Sequence, residues 1–367
     1  MKKGILFIVC LTALFASCIQ DEALNPEADI LTLSFTDGCL RAKKAEIGND
    51  YIVVYPKKNV DLRDSAITHI ELSEGATYQR IEKPSQSDTL FFIDVTSQSQ
   101  AYTKRYSVIA SYFPAVFDFE NWVVPTSGFL YENPKEGSLQ WFSSNNGAAI
   151  AWSEFSKPKE EYLIRETSQA VSGKKAAELR TMAGPGKILE LMNIPCLSGS
   201  LYLGGFDPST GLTNPLHSTN FGVPFNDGKP LKLTGHYRYK EGEGAYINPD
   251  GSENSTKKDT CSIYAVLFKT DERVQFLYGD DIDTSPNVIA RAALNPKDIK
   301  RGDEFTYFEI DFDYDAYATP FSWEALNNDE YKITIVFASS HRGQYYEGRI
   351  GSALTVDKVE LVYEVEN

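Results

Sequence analysis

Residues 331–338, with the sequence YKITIVFA, decide the fold because polar and apolar side chains alternate from Lys332 to Ile335. In an extended chain successive side chains point to opposite faces, so this pattern predicts a strand with one face toward a core. Val359-Glu360-Leu361 repeats the pattern and predicts another strand near the C-terminus. Helical periodicity is nearly absent, and we expect a short helix only at Trp323 to Asn328.

Strand-like runs separated by turn residues extend from this stretch back to the start of the chain. Those between Leu31 and Ile109 are short and closely spaced, which predicts a small β-sandwich over residues 30–112. Beyond Ala115 longer polar loops separate the runs, which favours a larger jelly-roll sandwich over residues 115–367. We therefore expect an all-β protein with two domains.

The N-terminus has the pattern of an export signal. Two lysines precede residues 5–15, ILFIVCLTALF, an apolar run shorter than the roughly 20 residues that span a bilayer. Residues 1–17 therefore read as a secretory signal peptide. The sequence up to Cys18 resembles the lipobox of bacterial lipoproteins, in which cleavage leaves a lipid-bearing cysteine. The alternative is an ordinary cleaved signal followed by an incidental cysteine.

Residues 18–29 are polar and form the expected tether. Ile19, Gln20, Asp21 and Glu22 resemble the surface-export signal of Bacteroidetes lipoproteins. The resemblance implies a protein held in the outer membrane by its lipid and exposed at the cell surface. We expect no other contact with the membrane.

Charge and cysteine content exclude several classes of function. The formal charge is −15, and it becomes −17 if Lys2 and Lys3 leave with the signal peptide. Such a surface repels phosphates, so nucleic acids are excluded as partners. Besides Cys18, the mature chain has Cys39, Cys196 and Cys261, too few for a disulfide framework. Pairing of Cys196 with Cys261 stays open.

Motifs of the second unit resemble the putative carbohydrate metabolism domain of Bacteroidetes lipoproteins. The resemblance covers about residues 115–365 and implies a function directed at carbohydrate. The first unit resembles the immunoglobulin-like modules that follow the anchor in such proteins, and we expect it to be a spacer. The motifs that carry the main resemblance are Phe119–Trp122, Trp141–Asn145, Gly222–Phe225, Leu233–Tyr239, Lys332–Ser340, Tyr345–Gly348 and Gly351–Val359.

The outline also resembles jelly-roll carbohydrate-binding modules, in which an early Glu and a late Asp bind a structural calcium ion. Glu120 and Asp357 match those positions. Period two places Asp357 on the inward face with Val359 and Leu361, where a carboxylate needs partners. Calcium takes six to eight oxygens, so backbone carbonyls must supply the others. The alternative is a carboxylate that caps backbone amides. Lys358 departs from the family, which more often has Asp there.

Sugars stack their apolar faces on aromatic rings, and their hydroxyl groups need polar partners in a concave site. The candidate platforms for stacking are Trp141, Trp152, Tyr345 and Tyr346. The candidate hydrogen-bonding residues are Asn145, Asn146 and His217. The competing interpretation is that a tryptophan in a β-sandwich belongs to the core.

Catalytic signatures are missing from the sequence, which contains no nucleophile elbow, zinc-protease motif, P-loop or dinucleotide fingerprint. Glycosidases need two carboxylates, and Glu347 is only a weak candidate whose alternative is a solvated turn. The leading hypothesis is therefore that the jelly roll binds glycan in polysaccharide capture. Glycoside hydrolysis and a structural or adhesive role without a small ligand are the two alternatives.

Overall fold

The computed structural model describes residues 24–36, 38–40, 45–57, 60, 62, 67–82, 89–111, 113–124, 131–137, 139–153, 161–188, 192–211 and 213–366. The signal peptide, Cys18 and residues 19–23 of the tether lie outside these ranges. Within the ranges, no helix is long and apolar enough to cross a bilayer.

The first unit is built from two sheets. One pairs β1 with β4, and the other has the order β2-β3-β7-β6-β5 with a parallel β3–β7 pair. The alternation in β6, with Ile93 and Val95 fully buried, supplies much of the core between them. The immunoglobulin-like assignment of this unit stays a prediction. The strands are β1 (Ile30–Phe35), β2 (Glu46–Ile47), β3 (Tyr51–Val54), β4 (Ile67–Leu72), β5 (Thr77–Glu82), β6 (Thr89–Thr96) and β7 (Thr103–Ala110).

The described part of the second unit is also almost entirely β, with two short α-helices. These are α1 (Asn145–Trp152) and α2 (Trp323–Asn327), and single 3-10 turns occur at Pro215–His217 and Gly343–Tyr345. The strands are β8 (Val116–Phe117), β9 (Trp122–Val123), β10 (Asn133–Glu136), β11 (Leu139–Gln140), β12 (Phe142–Ser143), β13 (Ile164–Thr167), β14 (Ala176–Ile188), β15 (Met192–Ser198), β16 (Ser200–Tyr202), β17 (Gly204–Phe206), β18 (Thr219–Phe221), β19 (Val223–Pro224), β20 (Lys229–Lys240), β21 (Tyr246–Ile247), β22 (Glu253–Asn254), β23 (Ser262–Lys269), β24 (Val288–Ala293), β25 (Thr306–Asp311), β26 (Tyr331–Ala338), β27 (Gly348–Arg349) and β28 (Ala353–Glu364).

Two antiparallel sheets form the body of this unit. The seven-stranded sheet has the order β13-β14-β28-β20-β25, with β15 added on β14 and β8 on β28. The six-stranded sheet has the order β12-β16-β26-β23-β24, with β19 added on β26. From β20 onward the chain alternates between them, since β23, β24 and β26 lie in one sheet and β25 and β28 in the other. This crossing is typical of a jelly roll, and the all-β sandwich prediction is confirmed.

The six-stranded sheet has two buried faces with different neighbours. Its inner face contributes Leu201, Ile263 and Ile335 to the main core between the sheets. Its outer face contributes Tyr202 and Val336 to a separate, smaller cluster. The alternating stretch at residues 331–338 forms β26, at the centre of this sheet. The helix predicted at residues 323–328 is α2. The outer face is where the candidate site lies.

Candidate functional site

A groove with a volume of about 290 Å³ runs across the outer face of the six-stranded sheet. Three adjacent strands build its floor, because β16 pairs with β26 and β26 with β23. Period two directs alternate residues of each strand into the groove, opposite to the core residues between them. The floor residues are Ser200, Tyr202, Ser262, Tyr264, Val336 and Ala338.

Helix α1 forms one wall of the groove with small and apolar side chains. Gly147, Ala148, Ile150 and Ala151 line the groove, and the helix ends at Ser153 in a left-handed conformation with φ 55°. The wall is therefore smooth and weakly polar, as the face that meets a sugar ring requires.

Tyr345 and Tyr346, two of the predicted stacking residues, also line the groove. Tyr345 is 38% exposed, and the Arg342 guanidinium lies 4.5 Å from its ring centroid. Tyr346 has φ 58° and its hydroxyl lies 3.6 Å from Met192 Sδ. Burial raises the pKa of Tyr346. An exposed ring beside a half-buried one gives the groove a surface on which a sugar can stack.

Charged and titratable groups cluster at the same end of the groove. Arg291 from β24 is bonded to Asp283, and its guanidinium lies 4.5 Å from the Tyr264 ring centroid. His341 shares a 2.7 Å hydrogen bond between its Nδ1 and Ser262 Oγ. Partial burial lowers the pKa of His341, Arg342 and Arg291 lower it further, and Asp283 opposes them.

Trp141 was predicted to contact carbohydrate, and this prediction is wrong. Its ring is fully buried in the main core, with ring centroids of Phe117, Phe119 and Phe337 within 5.8 Å. A ring enclosed on all sides has no face to offer a sugar. The core interpretation of a tryptophan in a β-sandwich therefore applies to Trp141.

The Asn145 prediction is also wrong. Asn145 is buried, its Nδ2 donates to Ile164 O at 2.9 Å, and its Oδ1 accepts from Ile164 N at 3.0 Å. This amide completes the backbone pairing at the edge of β13. Asn146 is fully buried, its side chain has no hydrogen-bond partner among the described residues, and it does not line the groove.

Trp152 and His217 lie near the groove without lining it. Trp152 ends α1 and is half-buried against the main core. Leu216 and Ser218 line the groove, whereas the His217 ring stacks on Tyr278 with centroids 4.4 Å apart. His217 Nε2 lies 2.9 Å from the carboxylate of Asp280. Trp152 therefore packs against the main core, and His217 contacts Tyr278 and Asp280 beside the groove.

Glu347, the weak catalytic candidate, is buried rather than solvated. Its carboxylate accepts from Lys257 Nζ at 2.5 Å, Arg342 Nη2 at 3.1 Å and the Tyr246 hydroxyl at 3.2 Å. Burial acts to raise the pKa of Glu347, but the bonds from Lys257 and Arg342 outweigh it and hold the pKa below its ordinary value. An anchored anion of this kind positions Arg342 and is poorly suited to deliver a proton.

Glu120 and Asp357 both cap backbone amides of the loop before β14. Asp357 Oδ2 accepts from Val171 N at 2.6 Å and Ser172 N at 3.0 Å, while its Oδ1 accepts from Lys358 N at 2.7 Å. Glu120 Oε1 accepts from Lys174 N at 2.7 Å and Lys175 N at 2.9 Å.

Asp357 thus accepts three backbone amides and Glu120 two, of about four lone-pair sites on each carboxylate. This arrangement is the capping alternative, and the calcium site stays a prediction. In the described ranges, no three His, Cys, Asp or Glu side chains are grouped to hold a metal. Cys196 and Cys261 are both buried and both free thiols.

Tyr202, Tyr264, Arg291 and His341 are groove residues that the sequence analysis missed. One signal for them was present in the sequence. In β24, VIARAA, Arg291 is a single charge within an apolar strand, which often marks a site. The tyrosines gave no comparable signal, because both faces of these strands are rich in apolar residues.

Fold and groove together define the class: a two-unit, all-β sandwich protein with an open concave site on one outer sheet face. Residues 118–362 match the family described as "Putative carbohydrate metabolism domain", and the chain belongs to this family. No curated protein matches it.

Solved structures similar to the chain include two from Bacteroides species. A putative glycoside hydrolase from Bacteroides thetaiotaomicron is 30% identical, with 95% of this chain and 100% of that chain covered and a TM-score of 0.69. A putative glycoside hydrolase from Bacteroides vulgatus is also 30% identical, with 68% and 98% covered and a TM-score of 0.61.

Proposed function

We propose that the second unit binds glycan in the groove on the outer face of its six-stranded sheet. The observation that carries the proposal is the groove itself, which combines the smooth α1 wall, the exposed Tyr345 ring and several polar side chains on its floor. This combination of apolar surface with a few fixed polar groups is typical of small-ligand sites. Membership of a carbohydrate-related family supports the same function.

The proposal places the protein at the cell surface, where it captures polysaccharide. The support is the N-terminal sequence, since residues 1–17 read as a signal peptide and Cys18 as the lipidated residue. More than one acyl chain gives durable attachment to a membrane. The first unit then serves as a spacer between the anchor and the groove.

Hydrolysis is the second candidate function, favoured by the similarity to two structures described as putative glycoside hydrolases. Glycosidases use a pair of carboxylates, about 5–5.5 Å apart for retention and about 6.5–9.5 Å for inversion. Among the described residues that line the groove, Asp283 is the only carboxylate, and Arg291 is bonded to it. The groove is therefore better equipped for binding.

A glycan array with the mature protein, followed by calorimetry on each glycan that binds, tests the proposal. We expect Tyr345→Ala to weaken binding about 5- to 30-fold, because roughly 1–2 kcal/mol of apolar contact with the sugar ring is lost. Tyr78→Ala is the matched control, since Tyr78 is 43% exposed on β5 of the first unit. We expect it to bind like the wild type.

An assay for released sugar runs beside the binding measurement. Binding without released sugar supports glycan capture, whereas released sugar at the rate of a glycosidase establishes the hydrolase instead. The absence of both across the array contradicts the proposal and leaves a structural or adhesive role. Equal losses in the Tyr345 and Tyr78 variants place the binding site outside the groove.

A further inference from the structure

Arg291 is a charged side chain on a strand that is otherwise apolar. Its neighbours in β24 are Val, Ile and Ala, and the side chain is only 22% exposed. Its guanidinium lies over Tyr264, 4.5 Å from the ring centroid, so the aromatic ring supports one face of the cation. A cation that is largely removed from water and fixed against a ring is stabilised when an anion binds it.

The partner present in the structure, Asp283, uses only part of this cation. Asp283 is 52% exposed and is bonded to Arg291 Nη1. A guanidinium has five N–H donors. Among the described residues, Arg291 Nε is buried without a hydrogen-bond partner. Nε itself is shielded from the groove, so a ligand would bind through the N–H groups of Nη1 and Nη2 that Asp283 leaves unused.

One further cation, Arg342, lines the groove beside His341. Arg342 is also bonded to the buried Glu347, which does not line the groove. Burial, Arg342 and Arg291 lower the pKa of His341, so its imidazole is neutral at pH 7 and adds a hydrogen-bonding group rather than a charge. Asp283 is the only carboxylate among the described lining residues. The groove is thus locally basic on a chain whose formal charge is −15. Because the surface as a whole repels anions, a basic groove selects where an anion binds.

We propose that the groove takes an anionic glycan, with the Arg291 guanidinium binding a sugar carboxylate or sulfate ester while Tyr345 stacks on the ring. This inference deepens the proposed function and rests on it. The planar fork of arginine matches the paired oxygens of either group, which gives two parallel charge-assisted hydrogen bonds. Uronates and sulfated sugars present this same chemistry.

The test compares matched pairs of glycans that differ only in charge, using calorimetry on the full mature protein. One pair is an oligogalacturonate and its methyl ester, and the other is a sulfated galactan oligosaccharide and its desulfated form. We expect the charged member of at least one pair to bind about tenfold more tightly or better. The pair that shows the difference identifies the anion as carboxylate or sulfate. Added salt should weaken the charged member selectively.

Three variants assign the effect to Arg291. Arg291→Met keeps the packing on Tyr264 and loses the charge, so binding of the charged glycan should fall about tenfold or more. Arg291→Lys keeps the charge but loses the planar guanidinium, so its affinity for the charged glycan should lie between that of Arg291→Met and that of the wild type. Asp283→Asn removes the competing carboxylate and should tighten binding. Arg105→Met is the control, because Arg105 forms an exposed ion pair with Asp94 in the first unit.

Thermal melts confirm that each variant is folded before its affinity is interpreted. If the neutral glycans bind as tightly as the charged ones or more tightly, and Tyr345→Ala still weakens that binding, this inference is overturned. The proposed binding of glycan in the groove then stands. Weaker binding of the charged glycan by Asp283→Asn also overturns it. No binding by any member of either pair or of the array overturns both the inference and the proposed function.

Discussion

Glu136 shows at the scale of one residue how the family motif at Phe119–Trp122 is held in place. Its buried carboxyl accepts from Phe119 N at 2.8 Å, and Phe119 has a left-handed backbone with φ 54°. Trp122 Nε1 donates to Phe119 O at 2.8 Å. These two bonds fix a strained residue whose ring packs against Trp141 in the core.

Replacing Glu136 by Gln should change how stability depends on pH. Burial raises the pKa of Glu136 to about 8 from an ordinary 4.5, with Asp118 adding to the effect. Between these values the folded state binds a proton that the unfolded state has lost, so the free energy of unfolding falls as pH rises from 4.5 to 8. Gln keeps the acceptor and does not titrate. We therefore expect Glu136→Gln to be more stable than wild type at pH 8, by on the order of 2 kcal/mol, and similar at pH 4.

Urea unfolding at a series of pH values measures this difference. Glu309→Gln is the control, since Glu309 is an exposed carboxylate paired with Lys232 on the sheet surface. Its curve should run parallel to that of the wild type above pH 5. A Glu136→Gln curve parallel to the wild type over the whole range contradicts the raised pKa.

At the scale of one element, the loop between β13 and β14 is clamped by two carboxylates from distant parts of the chain. Asp357 holds Val171 and Ser172, and Glu120 holds Lys174 and Lys175. Because these bonds engage the two carboxylates that were expected to hold calcium, saturating calcium or a chelator should leave the melting temperature of the wild type unchanged. Asp357→Ala should lower the free energy of unfolding by about 2–4 kcal/mol, since a fully buried carboxylate and its three hydrogen bonds to backbone amides are lost.

Calorimetric melting with calcium and with chelator checks both statements. Asp271→Ala is the matched control, because Asp271 Oδ1 also accepts from two backbone amides, but at an exposed turn. Its loss of stability should be much smaller. A rise in melting temperature with calcium that disappears in Asp357→Ala contradicts the capping role and establishes the ion.

Strands were easier to predict than site residues, because periodicity shows that a side chain is buried but does not show which neighbour covers it. The alternation at residues 332–335 predicted β26, and the inward position predicted for Asp357 is confirmed by its full burial. Helix α1 was not predicted, since its sequence NNGAAIAW contains poor helix formers and packing stabilises it. Trp141 was misassigned for a related reason: aromatic residues suit a core and a sugar platform equally well.

At the scale of the whole molecule, the described residues form separate hydrophobic cores. The core of the first unit runs from Ala28 to Ala110 along the chain, and the main core of the second begins at Phe113. No described residue belongs to both cores. Cores that share no side chains can unfold in separate steps, because loss of packing in one does not expose the other.

A cavity placed in one core should therefore move one unfolding transition and leave the other unchanged. Ile93→Ala removes a fully buried side chain from the first core and should destabilise that unit by about 2–5 kcal/mol. Ile335→Ala is the matched change in the main core of the second unit. Calorimetry should show two transitions, of which Ile93→Ala lowers one and Ile335→Ala the other. Because the groove lies on the second unit, glycan binding should shift only the transition that Ile335→Ala lowers. A single transition lowered by both variants would show that the spacer and the glycan-binding unit unfold as one cooperative body.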